Sequence, residues 1–402
     1  MSETAFPEPD ESVEAVEPET LERWIDDGDD VALLDVRAES EFAEWRIEGE
    51  GVETVNVPYY ELLEGIEDEH LEALPESEDH PLVVVCAKGG ASEYVAGLLT
   101  GAGVDAVNLE EGMNGWASIY EYHELDADTD ATVLQYQRPS SGCLSYLIVS
   151  DASGDDGREA AVVDPLRAFA DEYLRDAESM GADLVYAFDT HVHADHVSGV
   201  RALDGEGVEG VVPAAAVDRG VTYADELTTA EDGDVFGVGD VETEAVYTPG
   251  HTSGMISYLV DDAVLLTGDG LFVESVARPD LEEGDEGAPE AARQLYRSLQ
   301  DRVLALDDDV LVGGAHFSDA AEPAADGTYT ATLGELVDGM DALSMDEEAF
   351  VELVLSDMPP RPSNYEDIIG INLGQEEADD GEAFELELGP NNCAASRDAL
   401  TE

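Results

Sequence analysis

The chain has 402 residues, with 97 Asp and Glu against 16 Lys and Arg, giving a formal charge of −81 beside an ordinary apolar fraction of 43%. That length provides for two or three domains with cores of their own, and that charge excludes a nucleic-acid binder, whose surface has to neutralise phosphates. Self-repulsion of this size opposes folding in dilute buffer but is screened at about 1 M salt, where the Debye length is roughly 3 Å, so the composition reads as salt adaptation rather than disorder.

Residues 1–14 open an acidic stretch, "MSETAFPEPDESVEAVEPET", expected to be disordered; it has no basic start and no apolar core, so it does not read as a secretory signal. No apolar run approaches the roughly 18 residues that a membrane helix needs. The three cysteines, Cys86, Cys143 and Cys393, give no disulfide framework and suit a reducing interior. The location expected is the cytoplasm of a salt-adapted organism, with neither membrane nor nucleic acid as partner.

Residues 15–123 alternate apolar runs with helical patterns: "VALLDV" at 31–36, "PLVVVCA" at 81–87, an amphipathic "SEYVAGLLTGAG" at 92–103 and "VDAVNL" at 104–109. This predicts an α/β domain whose parallel sheet is covered by helices on both faces. Cys86 ends a buried strand, and a helix opens directly after Gly89 and Gly90. Backbone N–H groups and the positive end of that helix favour a thiolate, which makes Cys86 a candidate nucleophile, with a buried structural cysteine as the plainer alternative. Lys88, the only lysine in the chain, stands two residues away. A cation there lowers the thiolate pKa and attracts an anionic sulfur donor.

On "LLDVRAESEFAEWRIEG" (33–49), "VNVP" (55–58), the Cys86 loop and "VNLEEGMNGW" (107–116), this domain resembles a rhodanese. The resemblance implies sulfur transfer through a persulfide on Cys86, with Asp35 and Arg37 structural at the mouth of the site. Ala91 stands where the family loop usually carries an arginine, a departure that argues against thiosulfate as the donor.

Residues 124–130, "ELDADTD", are acidic and aperiodic and read as a linker. Over 131–374 the pattern becomes short strands between Gly- and Asp-rich turns, among them "CLSYLIV", "DLVYAFDT", "MISYLV" and "AVLLTGD", with helical stretches at 166–179 and 289–305. These predict sheets packed face to face with helices outside. Residues 375–402 read as a partly ordered tail.

"THVHADH" places His191, His193, Asp195 and His196 directly after the apolar run "LVYAF". A strand that delivers imidazoles and a carboxylate into the loop at its end points toward a metal, zinc or iron, and the plainer alternative is scattered surface histidines. His251 in "TPGHTSG", Asp269 in "LLTGDG" and His316 in "VGGAHF" likewise end apolar runs beside glycine, so five of the eight histidines fall in this series.

The ordered series HxHxDH, PGH, GD and a late Gly-x-His resembles the metallo-β-lactamase fold, in its glyoxalase II branch of thioester hydrolases and persulfide dioxygenases. The fold implied is an αββα sandwich with metal at one edge. As a dinuclear zinc hydrolase, the resemblance assigns His191, His193 and His251 to one Zn²⁺ and Asp195, His196 and His316 to the other, bridged by Asp269, with Asp195 also close to the chemistry. As a persulfide dioxygenase it implies one Fe²⁺ held by His191, His251 and Asp269. Arg278, in "SVARPDL", falls where the dioxygenases carry an arginine near the thiol substrate, with a loop salt bridge as its alternative. Phe317 and Ser318 depart from the Asp-Tyr that often follows the late histidine.

A rhodanese joined to such a domain favours persulfide oxidation to sulfite with sulfur exchange at Cys86. The alternatives are a zinc thioester hydrolase and a non-enzymatic sulfur-binding module, the last opposed by the complete ligand set. The partner expected is a small-molecule thiol persulfide or thioester, with a homodimer as the assembly considered; Cys143 and Cys393 are read as structural.

Overall fold

The structure, a computed structural model, describes residues 12–63, 65–151, 157–318, 321–356, 358–389 and 393–395. Most of the acidic N-terminus (residues 1–11) and the end of the tail (396–402) lie outside the described residues. The chain divides between Ile119 and Tyr120 into two compact units.

In the first unit five parallel strands lie in the order Ala15–Val16, Ala106–Leu109, Leu82–Val85, Val31–Asp35 and Val52–Asn56. The runs read as continuous apolar stretches because both faces are covered. Leu33, Val83 and Val85 pack under the helices Pro18–Asp26 and Gly112–Ala117, with Leu21 and Trp116, while the alternate residues Leu34 and Val84 pack with Val95 and Leu99 of the helix Gly90–Gly101. Each such side chain contributes roughly 1.5–3 kcal/mol by its burial. The α/β arrangement expected is the one found.

The second unit is a sandwich of a seven-stranded and a six-stranded sheet. Along Cys143–Ser150, Tyr146 and Ile148 enter the layer between the sheets, where they meet Tyr258, Val260 and Leu266 of the other sheet. Leu147 and Val149 face outward onto Tyr173 and Ala177 of the helix Ala170–Ser179. On the far side Leu259, Leu265 and Val312 pack against Leu295 and Leu299 of the helix Gly284–Asp301. Helix, sheet, sheet and helix are therefore stacked as the αββα sandwich expected.

Two boundaries differ from the expectation. Glu121–Glu124 is the edge strand of the seven-stranded sheet, paired antiparallel with Ala131–Arg138, so the acidic 124–130 stretch connects two strands of one sheet instead of two domains. Tyr120 ties this segment down: its ring stacks on Phe169 at 4.0 Å and its hydroxyl meets Ser145 Oγ at 2.8 Å. An edge strand with little covering needs little apolar character, which is why "EYHE" gives no strand signal. The described part of the tail is also built in. It carries the helix Asp380–Leu386, and Glu387 forms a buried ion pair with Arg138 at 2.8 Å, with the Arg138 guanidinium lying 5.3 Å from the Phe169 ring centroid and 5.2 Å from that of Phe384.

Salt adaptation predicts a stability signature. Moving from about 0.1 M to about 2 M KCl shortens the Debye length severalfold and should raise Tm by several degrees or more. A Tm that stays flat or falls would contradict that reading of the composition.

Candidate metal centre

Every expected metal ligand leaves the C-terminal end of a strand on one edge of the sandwich. Ala182–Phe188 runs into the loop holding His191, His193, Asp195 and His196; Val241–Tyr247 precedes the His251 turn; Val264–Gly268 ends at Asp269; Leu311–Gly314 leads to His316. Two glycines make the crowding feasible. Gly250 adopts φ +152° with the Leu295 backbone where a side chain would stand, and Gly268 adopts φ +53° against the Thr190 side chain.

The donor atoms of His191, His251 and Asp269 lie within 4.8 Å of one another. His191 Nε2 is 3.6 Å and His251 Nε2 is 3.4 Å from Asp269 Oδ2, and among the described residues none of these three buried atoms has a hydrogen-bond partner. The other ring nitrogens fix the tautomers. His251 Nδ1 donates to the Arg278 carbonyl at 2.9 Å. Thr190 Oγ1 donates to Asp164 Oδ2 at 2.9 Å and so accepts from His191 Nδ1, also at 2.9 Å. Both imidazoles thus turn an Nε2 lone pair inward. Burial lowers the pKa of each, well below the usual value for His191, and keeps them neutral. Three convergent lone-pair donors with no partner in the protein fit a bound cation.

His316 sits behind this triad. Its Nδ1 is 2.6 Å from Asp269 Oδ1 and its Nε2 is 2.7 Å from Asp195 Oδ2. Burial opposes its charge, but Asp269 and Asp195 outweigh burial and raise its pKa well above normal. The resulting cation holds Asp269 ionised, against burial, with Oδ2 toward the two imidazoles. Asp195 Oδ2 also accepts from His196 Nδ1 at 3.1 Å and from the Cys143 thiol at 3.2 Å. Cys143, Asp195, His196 and His316 form a second cluster of donors, and Cys393 lies in another with Asp195, Asp269 and His316.

His193 stands apart from the triad. Its Nε2 bonds Asp164 Oδ1 at 3.1 Å and approaches Asp189 Oδ1 at 3.7 Å. Burial and the nearby His196 oppose protonation, yet the Asp164 contact prevails and the pKa is raised to about 9.

The expectation for Arg278 is corrected. Its side chain is 1% exposed, with Nε and Nη2 on the two oxygens of Asp280 at 2.8 and 3.1 Å and Nη1 on the Pro360 carbonyl at 2.8 Å. Asp280, two residues on, matches the fork of the guanidinium and takes it up. What Arg278 gives the centre is its backbone carbonyl.

Sequence reasoning missed Asp164, Asp189, Asn372 and the placement of Cys143 and Cys393. Asp164 had a signal, since "VVDP" ends a strand, and its φ of +52° marks a strained backbone position. Asn372 comes from the helix Tyr365–Asn372: its Nδ2 donates to the carbonyls of His193 at 3.0 Å and His196 at 2.8 Å, and its Oδ1 accepts from Ser198 N at 2.9 Å. Glu387 adds a bond from Val197 N at 2.8 Å. Asn372→Ala is therefore expected to weaken metal binding by roughly 10- to 100-fold, the usual cost of losing an outer support, as read by competition with a chelator. An unaltered affinity would mean that the ligand loop keeps its shape without this residue.

In the first unit, Cys86 follows the strand Leu82–Val85 and is 6% exposed, with Ser92 Oγ 3.0 Å from its Sγ. Gly89, at φ +83°, opens the helix Gly90–Gly101. Main-chain bonds from Met113 N to Cys86 O at 2.8 Å and from Asn114 N to Ala87 O at 3.1 Å hold the loop. Lys88 is exposed. Asp35 and Arg37 form a buried pair at 2.6 Å, with Arg37 Nη2 also on the Trp45 carbonyl at 2.6 Å.

A family model of the metallo-beta-lactamase superfamily matches residues 139–316, and one of the rhodanese-like domain matches residues 17–119. Human persulfide dioxygenase ETHE1, mitochondrial, is 30% identical over 185 residues, which cover 45% of this chain and 66% of that protein. Hydroxyacylglutathione hydrolase of Methylococcus capsulatus is 33% identical over 221 residues, covering 53% of this chain and 78% of that enzyme. Among solved structures, a metallo-beta-lactamase of Staphylococcus aureus superposes with a TM-score of 0.54 at 28% identity, covering 61% of this chain and 74% of the other. Among the described residues no helix is long and apolar enough to cross a membrane.

Proposed function

Because this chain belongs to the metallo-β-lactamase superfamily and carries a rhodanese-like domain ahead of that fold, we propose that it is a persulfide dioxygenase that takes a low-molecular-weight thiol persulfide to sulfite and exchanges sulfane sulfur at Cys86. The observation that carries this reading is the inward facing of three unpartnered donors, His191 Nε2, His251 Nε2 and Asp269 Oδ2. Two imidazoles and one carboxylate suit a single ferrous ion and leave positions open for O₂ and sulfur. Such an ion, when bound, supplies the redox chemistry between them. The similarity to human persulfide dioxygenase supports the same reading.

The net reaction is R–S–SH + O₂ + H₂O giving R–SH and H₂SO₃, which sheds two protons as sulfite; the outer sulfur loses four electrons and O₂ takes them up. The chain's own residues prepare the site. Thr190 and the Arg278 carbonyl hold the two imidazole tautomers, the His316 cation holds Asp269 ionised, and burial keeps bulk water from the donors. At Cys86 the thiolate attacks the outer sulfur of a persulfide, the S–S bond breaks, R–S⁻ leaves and Cys86 carries the sulfane sulfur. Ser92 Oγ, 3.0 Å from Sγ, and the main-chain bonds from Met113 and Asn114 hold the Cys86 loop in place for both stages.

A dinuclear zinc thioester hydrolase is the second reading. It is favoured by further unpartnered buried atoms, His193 Nδ1, Asp195 Oδ1 and His196 Nε2, and by the similarity to hydroxyacylglutathione hydrolase. Against it, both ring nitrogens of His316 are already engaged by carboxylates. The test is O₂ uptake and sulfite release with a supplied persulfide, run beside hydrolysis of a thioester in the same high-salt buffer. Uptake matched mole for mole by sulfite is expected; thioester hydrolysis without uptake would reject the dioxygenase reading.

A further inference from the structure

The chain sets 97 Asp and Glu against 16 Lys and Arg, yet among the described residues Arg201 has no ion pair. Its guanidinium lies 4.6 Å from the centroid of the Tyr223 ring instead. Tyr223 is fixed for that contact, since it is buried and its hydroxyl donates to the Asn372 carbonyl at 2.5 Å. A guanidinium held over a ring face by cation–π attraction keeps its N–H groups available to an acceptor.

Arg201 and Tyr223 line a cavity of about 440 Å³, within the range of small-molecule sites. The second arginine there, Arg167, is already engaged, with Nη2 on Asp380 Oδ1 at 2.6 Å and Nη1 on the Ala378 carbonyl at 3.2 Å. Asp204, Glu226, Glu376 and Glu377 stand on the same walls, and Arg201 pairs with none of them. Positive and negative charge are thus kept apart around one cavity. A simple anion meets four carboxylates there, and a simple cation meets the arginines. A zwitterion whose charges are several Å apart satisfies both, and an extended dipeptide, with ends about 7 Å apart, is of that kind.

The buried part of the cavity wall also braces the metal-ligand loop. Asn372 lines the cavity, and the same side chain holds the carbonyls of His193 and His196. Ser198 lines it too, with Oγ 2.8 Å from both carboxylate oxygens of Asp189. A molecule that fills the cavity restrains these two residues, and restraint of the loop in its ligating shape raises metal affinity. By linkage the metal then tightens the zwitterion by the same factor.

We propose that this cavity is a binding site for a zwitterion of the short-peptide class, held at its carboxylate by Arg201 and at its ammonium by the carboxylates of the walls, and that its occupancy strengthens metal binding. None of the lining residues is an expected metal ligand, so the site stands on either reading of the chemistry at the metal.

The probe is 6-aminohexanoate, a poor chelator that carries its two charges at the ends of a chain. It is titrated calorimetrically into the metal-loaded full chain at pH 7 and fixed high salt, beside hexanoate and hexylamine, which each keep one of the charges. One equivalent of 6-aminohexanoate should bind, and each control should bind roughly 10-fold more weakly or less, the scale of one charge-assisted hydrogen bond. Arg201→Gln should weaken the zwitterion to about the level of hexylamine and leave hexylamine unchanged. The side chain of Arg201 is exposed, so this variant is expected to fold; Glu376→Gln with Glu377→Gln supplies the converse, a loss toward the level of hexanoate. No saturable binding of 6-aminohexanoate, binding that ignores Arg201→Gln, or equal affinity for hexanoate overturns the site. Chelator competition with and without saturating 6-aminohexanoate reads the link. Metal affinity should rise roughly fivefold or more in the unaltered protein and stay put in Arg201→Gln; an unchanged affinity in both overturns the coupling to the metal.

Discussion

Asp269→Asn is expected to empty the metal centre. The substitution keeps the size of the side chain and an oxygen able to accept from His316, but it removes the negative charge that faces His191 and His251 Nε2 at 3.6 and 3.4 Å. Two neutral imidazoles remain, and they are poor holders of a hard divalent ion without a carboxylate. Metal affinity should fall by more than the roughly 10- to 100-fold that loss of an outer support costs, and O₂ uptake should fall with it. The His316 cation also loses one of its two carboxylates, so its pKa should drop and its charge, stable at neutral pH in the unaltered protein, should be lost as pH rises through the new value. Metal analysis after gel filtration checks the first consequence. Retention of a full equivalent in Asp269→Asn would remove this carboxylate from the ligand set.

Cys86→Ser should separate the two activities. Sulfur transfer to an acceptor should drop by on the order of 10⁴-fold or more, as it does when a covalent nucleophile is removed, because an alcohol of ordinary acidity cannot carry sulfane sulfur. O₂ uptake from a supplied persulfide should stay within about twofold, since the donors that carry the oxidation reading all belong to the second unit. The strand Leu82–Val85 and the helix Gly90–Gly101 hold the loop from both sides, so the variant is expected to fold. Persistent transfer would move the nucleophile elsewhere; loss of both activities would mean that the oxidation depends on sulfur passing through Cys86.

The legible parts of this protein are those in which local sequence and long-range structure say the same thing. His191, His251, Asp269 and His316 each follow a strand, and the last three stand near glycine, so the sequence marks the strand ends and, at those three, the crowding there. The alternation along Cys143–Ser150 is not visible as polarity, because both faces of that strand are buried; its two sides separate only in the structure, where Ile148 and Leu147 go to different cores. Asn372 lies 176 and 179 residues from the carbonyls that it holds, and nothing in its own neighbourhood announces them. Arg278 shows the reverse failure: its charge was evident, but its capture by Asp280 depends on how the chain turns between them. Cys143 and Cys393, with no spacing partner in the sequence, come beside Asp195 only through folding.

The central claim is that His191, His251 and Asp269 share one iron. Anomalous diffraction from crystals grown in high salt, with data on both sides of the iron and zinc absorption edges, tests it most directly. The account predicts a single iron peak bounded by His191 Nε2, His251 Nε2 and Asp269 Oδ2. Two zinc peaks about 3.5–4 Å apart, the spacing of two-metal sites, with the second beside Asp195, His196 and His316, would contradict it.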